Sequence, residues 1–218
     1  MQRAERIRVA WLVSLGLVGM IGFGCSDSGE SDPPTPPAKL PAALTEFQAE
    51  LGKGQAQIDV ALAALDAVVE AAAGDPRPKY EQLVKEIGTL DTIATSLGKK
   101  RAAMEAKGAA YFQEWEKQLA AIETDSVREV AAKRKEELAK NYQLVTDATV
   151  AASEAYTPFM ADLQDIQKVL ANDLNAEGIT SLAATIEKSK KDGGVVKEKV
   201  DALVKELAKI AAIYTADV

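Results

Sequence analysis

The chain has 218 residues, with 26 Lys and Arg against 33 Asp and Glu, no histidine, one cysteine and 5% aromatic residues. Without histidine it cannot build by itself a Ser/His/Asp or Cys/His triad, a histidine general base or a histidine-held metal or haem, and one cysteine excludes an internal disulfide, a zinc ribbon and a CxxC redox pair. A formal charge of −7 argues against nucleic acid as a partner, because phosphate-tracking surfaces need clustered positive charge.

Arg3, Arg6 and Arg8 precede an uncharged run, VAWLVSLGLVGMIGF, over residues 9–23. A basic stretch before an apolar one is the pattern of a secretory signal. The run stops at Gly24-Cys25, and Ser26, Asp27 and Ser28 follow. This arrangement resembles a bacterial lipoprotein signal, which implies a signal peptide over 1–24 and lipidation of Cys25. The segment Gly22-Phe23-Gly24-Cys25 keeps that motif's small residue and cysteine, with Gly22 where Leu or Val is usual.

Two other readings stay open. One is an uncleaved membrane helix, but about 16 apolar residues rising ~1.5 Å each reach only ~24 Å of a ~30 Å hydrocarbon core. The other is an ordinary cleaved signal that leaves Cys25 as a free thiol. By resemblance to Gram-negative lipoproteins, Ser26 in place of Asp after the cysteine implies the outer membrane, facing the periplasm. Without residues 1–24 the chain has 23 basic and 32 acidic residues, a formal charge of −9.

Residues 25–41 read as a lipid-anchored tether. Residues 26–41, SDSGESDPPTPPAKLP, hold five of the eight prolines and no apolar periodicity. Fixed proline dihedrals favour an extended spacer at ~3.1 Å per residue. The Pro33/Pro36 and Pro34/Pro37 spacings also fit a PxxP ligand, although stalks beneath lipid anchors share this composition for mechanical reasons.

Residues 42–218 read as one long helical bundle, rich in Ala, Glu, Lys and Leu. Leu, Ile, Val and Phe make up about 22% of the chain after residue 24, enough for a thin core. The first helix is expected over 42–73, with Leu44, Leu51, Ile58, Leu62, Leu65 and Val69 as its stripe and Gln48 and Gln55 as interruptions. Gly74-Asp75-Pro76 stops it. The second, over 77–123, has the clearest period, running from Tyr80 through Leu83, Ile87, Leu90, Leu97, Arg101, Met104, Gly108, Tyr111 and Trp115 to Ile122. Steps of three and four over five heptads mark a coiled-coil seam.

Thr124-Asp125-Ser126, with Glu129 three residues after Ser126, predicts a reversal with a capping box. The third helix runs to about Asp173 on Leu138, Tyr142, Val145, Thr149, Ala152, Tyr156, Phe159, Leu163, Ile166 and Leu170, and Pro158 inside it predicts a kink. Asn172-Asp173-Leu174-Asn175 supplies a turn and an N-cap. The fourth helix follows on Ile179, Leu182, Ile186, Ser189, Gly193, Val196, Val200, Leu203, Leu207 and Ile210, keeping phase through a flexible spot at Gly193-Gly194. Short connections force antiparallel neighbours. The expected fold is all-α: an extended antiparallel four-helix bundle or coiled coil, up-down-up-down, with spectrin-like proportions.

Tyr111-Phe112-Gln113-Glu114-Trp115-Glu116, Pro158-Phe159-Met160 and the turn from Leu170 to Ile179 resemble an uncharacterised bacterial family, domain of unknown function 2959, over roughly residues 55 to 215. At that turn the chain has Ala171 and Asn172 where the family's element carries Lys and His. The resemblance implies a helical fold and brings no activity.

Tyr111, Phe112 and Trp115 form an aromatic cluster, read first as core and second as a partner-binding patch. Pro158, Gly193 and Gly194 are the candidate hinges. Arg101, on the seam, reads as a register device or a snorkelling side chain. Lys99-Lys100-Arg101 and Lys188, Lys190 and Lys191 read as solvated helix faces before they read as lipid or polymer contacts. A carboxylate-bridged di-metal site is disfavoured without Glu-x-x-His pairs, and no phosphate loop surrounds Gly193-Gly194. No metal, catalytic residue or cofactor is expected.

The function expected is a non-enzymatic, membrane-anchored envelope lipoprotein with a scaffold, spacer or adaptor role. Its partners are the membrane through Cys25, and an envelope protein or a second copy. The alternative is a periplasmic module that opens along a seam to bind lipid or cell-wall fragments. An enzyme using only Asp, Glu, Lys or Tyr would need a perturbed carboxylate facing a cavity.

Overall fold

The computed structural model describes residues 39–215. Cys25, the apolar run and the proline-rich stretch through residue 38 lie outside the described residues. Helices account for almost all of the described chain, with no strand among these residues: α1 (Lys39–Glu70), α2 (Arg77–Ala121), α3 (Asp125–Asn172), α4 (Ala176–Ser181) and α5 (Ala183–Thr215).

Helix α1 starts three residues before the expected boundary and takes in Pro41. A proline is tolerated there because first-turn N–H groups have no intrahelical partner. Its buried stripe keeps the expected Leu44, Leu51, Ile58 and Leu65, but the positions between them fall one residue earlier than expected. Leu44, Phe47, Leu51, Ile58, Ala61, Leu65 and Val68 are buried, while Val69 is 40% exposed. The strict three-and-four rhythm passes through Gly54, not Gln55. At Gly54 a Cβ would lie 3.6 Å from Leu97 and 3.7 Å from Ile93, so the small residue lets α2 come close. Gln55 faces α5 and donates to Asp201 at 2.8 Å.

The expected capping box at Ser126 is not formed. Helix α3 begins at Asp125, with Thr124 as an N-cap that makes no side-chain cap bond. Arg128 closes this reversal instead, donating from Nε to the Ile122 carbonyl at 2.9 Å and from Nη1 to Asp125 at 2.9 Å. Its cation thereby satisfies a carbonyl that the end of α2 leaves without an intrahelical donor.

The fourth helix is split at Leu182, contrary to the single helix expected. Asn175 caps α4 as foreseen, its side-chain oxygen accepting from the N–H groups of Glu177 at 3.0 Å and Gly178 at 2.9 Å. Leu182 N–H then turns back to the carbonyl of Ile179 at 3.2 Å, an i to i+3 closure. Gly178 is pressed against Asp173, whose carboxylate carbon would lie 2.8 Å from a Cβ there. The sharpness of this return explains the glycine.

Cross-helix pairs fix the directions. Gln57 meets Glu86 and Glu46 meets Lys100 between α1 and α2; Tyr80 meets Gln167 and Tyr142 meets Met104 between α2 and α3. Asp59 meets Lys197 and Asp66 meets Lys190 between α1 and α5, and Asp162 meets Lys188 between α3 and α5. In each series one number rises as the other falls, with the approach of Gly193 to Phe159 as the second α3–α5 pair, so neighbours are antiparallel. Backbones approach around a ring of α1, α2, α3 and α5, and the two diagonals do not touch.

The ring is not equally long on all sides. Glu46 sits beside Lys100, so the seven residues back to Lys39 carry α1 only to about Lys107. Gln55 sits beside Asp201, so α5 ends at Thr215 on the level of residue 41. Beyond that level α2 and α3 continue as a two-helix hairpin. Within it Leu119 and Leu138 are buried, and Lys135 pairs with Glu116 across it.

Candidate functional site

The aromatic cluster sits where the hairpin leaves the four-helix body. Tyr111 and Phe112 have ring centroids 5.3 Å apart, Tyr111 and Trp115 5.5 Å, and Phe112 and Tyr142 5.7 Å, all edge to face. Such pairs add about 0.5–1.5 kcal/mol each beyond their burial. All four rings are partly buried against the core. The sequence named the α2 members; Tyr142 joins them from α3, a partner that only the pairing of the two helices reveals.

Three tyrosines tie α2 to α3. Tyr80 donates to the Gln167 carbonyl at 3.1 Å, Tyr142 to the Met104 carbonyl at 3.0 Å and Tyr156 to the Leu90 carbonyl at 3.4 Å. Burial, with a smaller contribution from the Glu105 charge, pushes Tyr142 up to about 12. Tyr156 is also raised, by burial first and then by Asp91, and Tyr80 by burial. A group that raised stays protonated near neutral pH and is poorly matched to act as a general base or nucleophile there. The hydroxyls work as donors that join helices.

Arg101 is half-buried and its Nε lies 2.7 Å from Glu105, one turn on. Lys100 pairs with Glu46 on α1. Lys188 bonds to Asp162 and Asp192, and Lys190 to Asp66 and Glu187. Lys188 and Lys190 therefore join α5 to its neighbours and also pair along its own face, Lys100 joins α2 to α1, and Arg101 pairs along α2. Exposed pairs of this kind are worth about 0–1 kcal/mol each.

The candidate hinges lie inside continuous helix. Helix α3 passes through Pro158, and Thr157 beside it bonds through its hydroxyl to the Ser153 carbonyl at 3.0 Å. Gly193 is packed: a Cβ there would lie 2.9 Å from Leu62 and 3.2 Å from Phe159, while one on Gly194 would meet nothing within 4 Å. Gly193 thus has a packing role, letting α1 and α3 approach α5.

Two features escaped the sequence reading. Glu86 is buried, its carboxylate accepting from Gln57 at 2.6 Å and from Gln82. Glu86 and Gln82 are one turn apart on α2, a visible signal, but Gln57 comes from another helix. The second is the hairpin tip, where Val127 is 53% and Val130 69% exposed. Valines directly after the reversal, at core spacing, carry that signal. Among the described residues no group of three or more Cys, Asp or Glu side chains could hold a metal ion, and no helix is long and apolar enough to cross a membrane.

A family model described as "Protein of unknown function (DUF2959)" matches residues 42–217. The chain belongs to that family. The match covers the body and hairpin of this DUF2959 chain together, so the two-helix extension lies inside the family's domain. No curated protein and no solved structure matches the chain.

Proposed function

We propose that this DUF2959 chain is a non-enzymatic envelope lipoprotein whose bundle serves as a scaffold, spacer or adaptor. The observation that carries the reading is the place of the one cysteine, between an uncharged run of fifteen residues and a proline-rich polar stretch. Lipid on Cys25 supplies the anchor. The 14 residues from Cys25 to Lys39, where α1 begins, reach up to about 43 Å if extended at ~3.1 Å each. A bundle whose buried polar groups are spent on bonds within and between its own helices suits a mechanical part better than a reactive one.

The test is Cys25→Ala in cells, with membrane fractionation and labelling by a fatty acid analogue. The expected result is loss of the label and release of the chain from the membrane fraction. A variant that stays fully membrane-bound overturns the reading and makes the apolar segment the anchor.

A further inference from the structure

The four long helices are not evenly spaced. Backbones approach much more densely along the α1–α2 and α3–α5 pairs than along α2–α3 and α1–α5, although α2 and α3 are the two longest helices. Across α2–α3 the gap is spanned by side chains, with the hydroxyls of Tyr80, Tyr142 and Tyr156 each reaching a main-chain carbonyl on the facing helix. Across α1–α5 the bridges are side chains as well: Gln55 reaches Asp201, Lys197 reaches Asp59, Lys190 reaches Asp66, and the end of Leu62 rests on Gly193. Single hydrogen bonds and partly exposed ion pairs of this kind stabilise only modestly. Each close pair is also local in sequence. Helix α2 follows α1 across residues 71–76, and α5 follows α3 across the return that holds α4. The chain joins one pair to the other only through residues 122–124.

We propose that the bundle parts reversibly along its length, with α1–α2 and α3–α5 each moving as a unit about a hinge at residues 122–124. Segments that open together coincide with such local supersecondary units, and they separate where their mutual contacts are sparsest. The parted form keeps both hairpins but exposes apolar side chains from each half to water, so it is a minor state in equilibrium with the closed one. The hinge is then the reversal that Arg128 closes, and neither Pro158 nor Gly193-Gly194 bends. This goes beyond the scaffold reading and does not depend on the lipid anchor.

Buried thiols test it. Val145 and Ala61 are both at 0% exposure. Val145 precedes Tyr156 by 11 residues, about three turns, and so lies on the side of α3 that faces the seam. Ala61 follows Gly54 by seven residues, about two turns, and so lies inside the α1–α2 pair. The full chain carrying Cys25→Ala has no other cysteine, so Val145→Cys or Ala61→Cys in that background places one thiol at one site. With excess maleimide and no denaturant, and with each rate divided by that of the same chain unfolded in urea, position 145 is expected to react at least about tenfold faster than position 61. Tyr80→Phe removes the tie at Gln167, 22 residues or about 33 Å along α3 from Val145. It is expected to speed labelling at 145 at least about threefold and to leave 61 unchanged. Equal rates at the two positions, or a Tyr80→Phe effect of the same size at both, would mean that the bundle opens only by unfolding as a whole and would overturn the proposal. Faster labelling at 61 overturns it too, because the α1–α2 pair would then be the part that opens. If Val145→Cys does not fold, Ala152→Cys, a smaller change on the same stripe of α3, carries the same comparison.

Discussion

Tyr142 fills the space that a side chain on Gly108 would need: a Cβ there would lie 2.5 Å from the Tyr142 Cζ. The glycine lets the phenol cross from α3 to α2 and donate to Met104. Gly108→Ala forces the ring aside and is expected to cost about 1–3 kcal/mol in urea unfolding, although alanine is the better helix former. Gly88→Ala, at a site with open space, is the control and is expected to gain up to about 1 kcal/mol.

The tyrosine ties predict an alkaline limit. Tyr142 and Tyr156 are raised above the ordinary value of 10.0. Groups raised in the folded state contribute stability that is complete below their unfolded pKa and is lost as pH rises through the folded one. Stability should therefore hold to about pH 10 and fall above it, with part of the tyrosinate absorbance appearing only on unfolding. Tyr142→Phe is expected to lower stability at neutral pH by about 0.5–1.5 kcal/mol and to flatten the alkaline fall.

At acid pH the sign reverses. Hydrogen bonds from Lys53 and Ser96 hold the largely buried Glu50 carboxyl below its ordinary value of 4.5. Its contribution is present above that value and is lost as pH falls through the lowered one. Glu50→Gln should reduce the acid sensitivity of the melting temperature. Its cost at neutral pH should stay within about 1 kcal/mol, because Lys53 is exposed.

Gly193 and Gly194 should respond in opposite directions. Gly194→Ala meets open space and is expected to stabilise α5 by up to about 1 kcal/mol. Gly193→Ala presses on Leu62 and Phe159 and should destabilise by about 1–3 kcal/mol. If both variants melted higher than wild type, the packing role of Gly193 would be wrong.

Phe159 is fully buried between α5 and the rest of the core. Phe159→Ala is expected to cost about 3–5 kcal/mol by chemical denaturation. Trp115→Ala, at a partly buried site, should cost less.

The sequence by itself determined the helices, because apolar period is a local property of the chain. The stripes of α2, α3 and α5 could be read from Leu83 to Ile210, and Asn175 announced its cap through residue type alone. Leu44, Leu51, Ile58 and Leu65 of α1 were read correctly, but the positions between them were misread by one step because Gly54 carries no hydrophobic signal, and its value lies in the Leu97 and Ile93 that meet it. The missed capping at Ser126 and the break at Leu182 have the same origin, since Arg128 and Gly178 act on groups that only the folded reversal brings near. Tertiary structure alone decided that Tyr142 completes the aromatic cluster and that Gly193 is a contact point. It also decided that, among the described residues, α2 and α3 run past the ends of α1 and α5. Periodicity shows which side of a helix is apolar, but only the packing of the helices shows what that side meets.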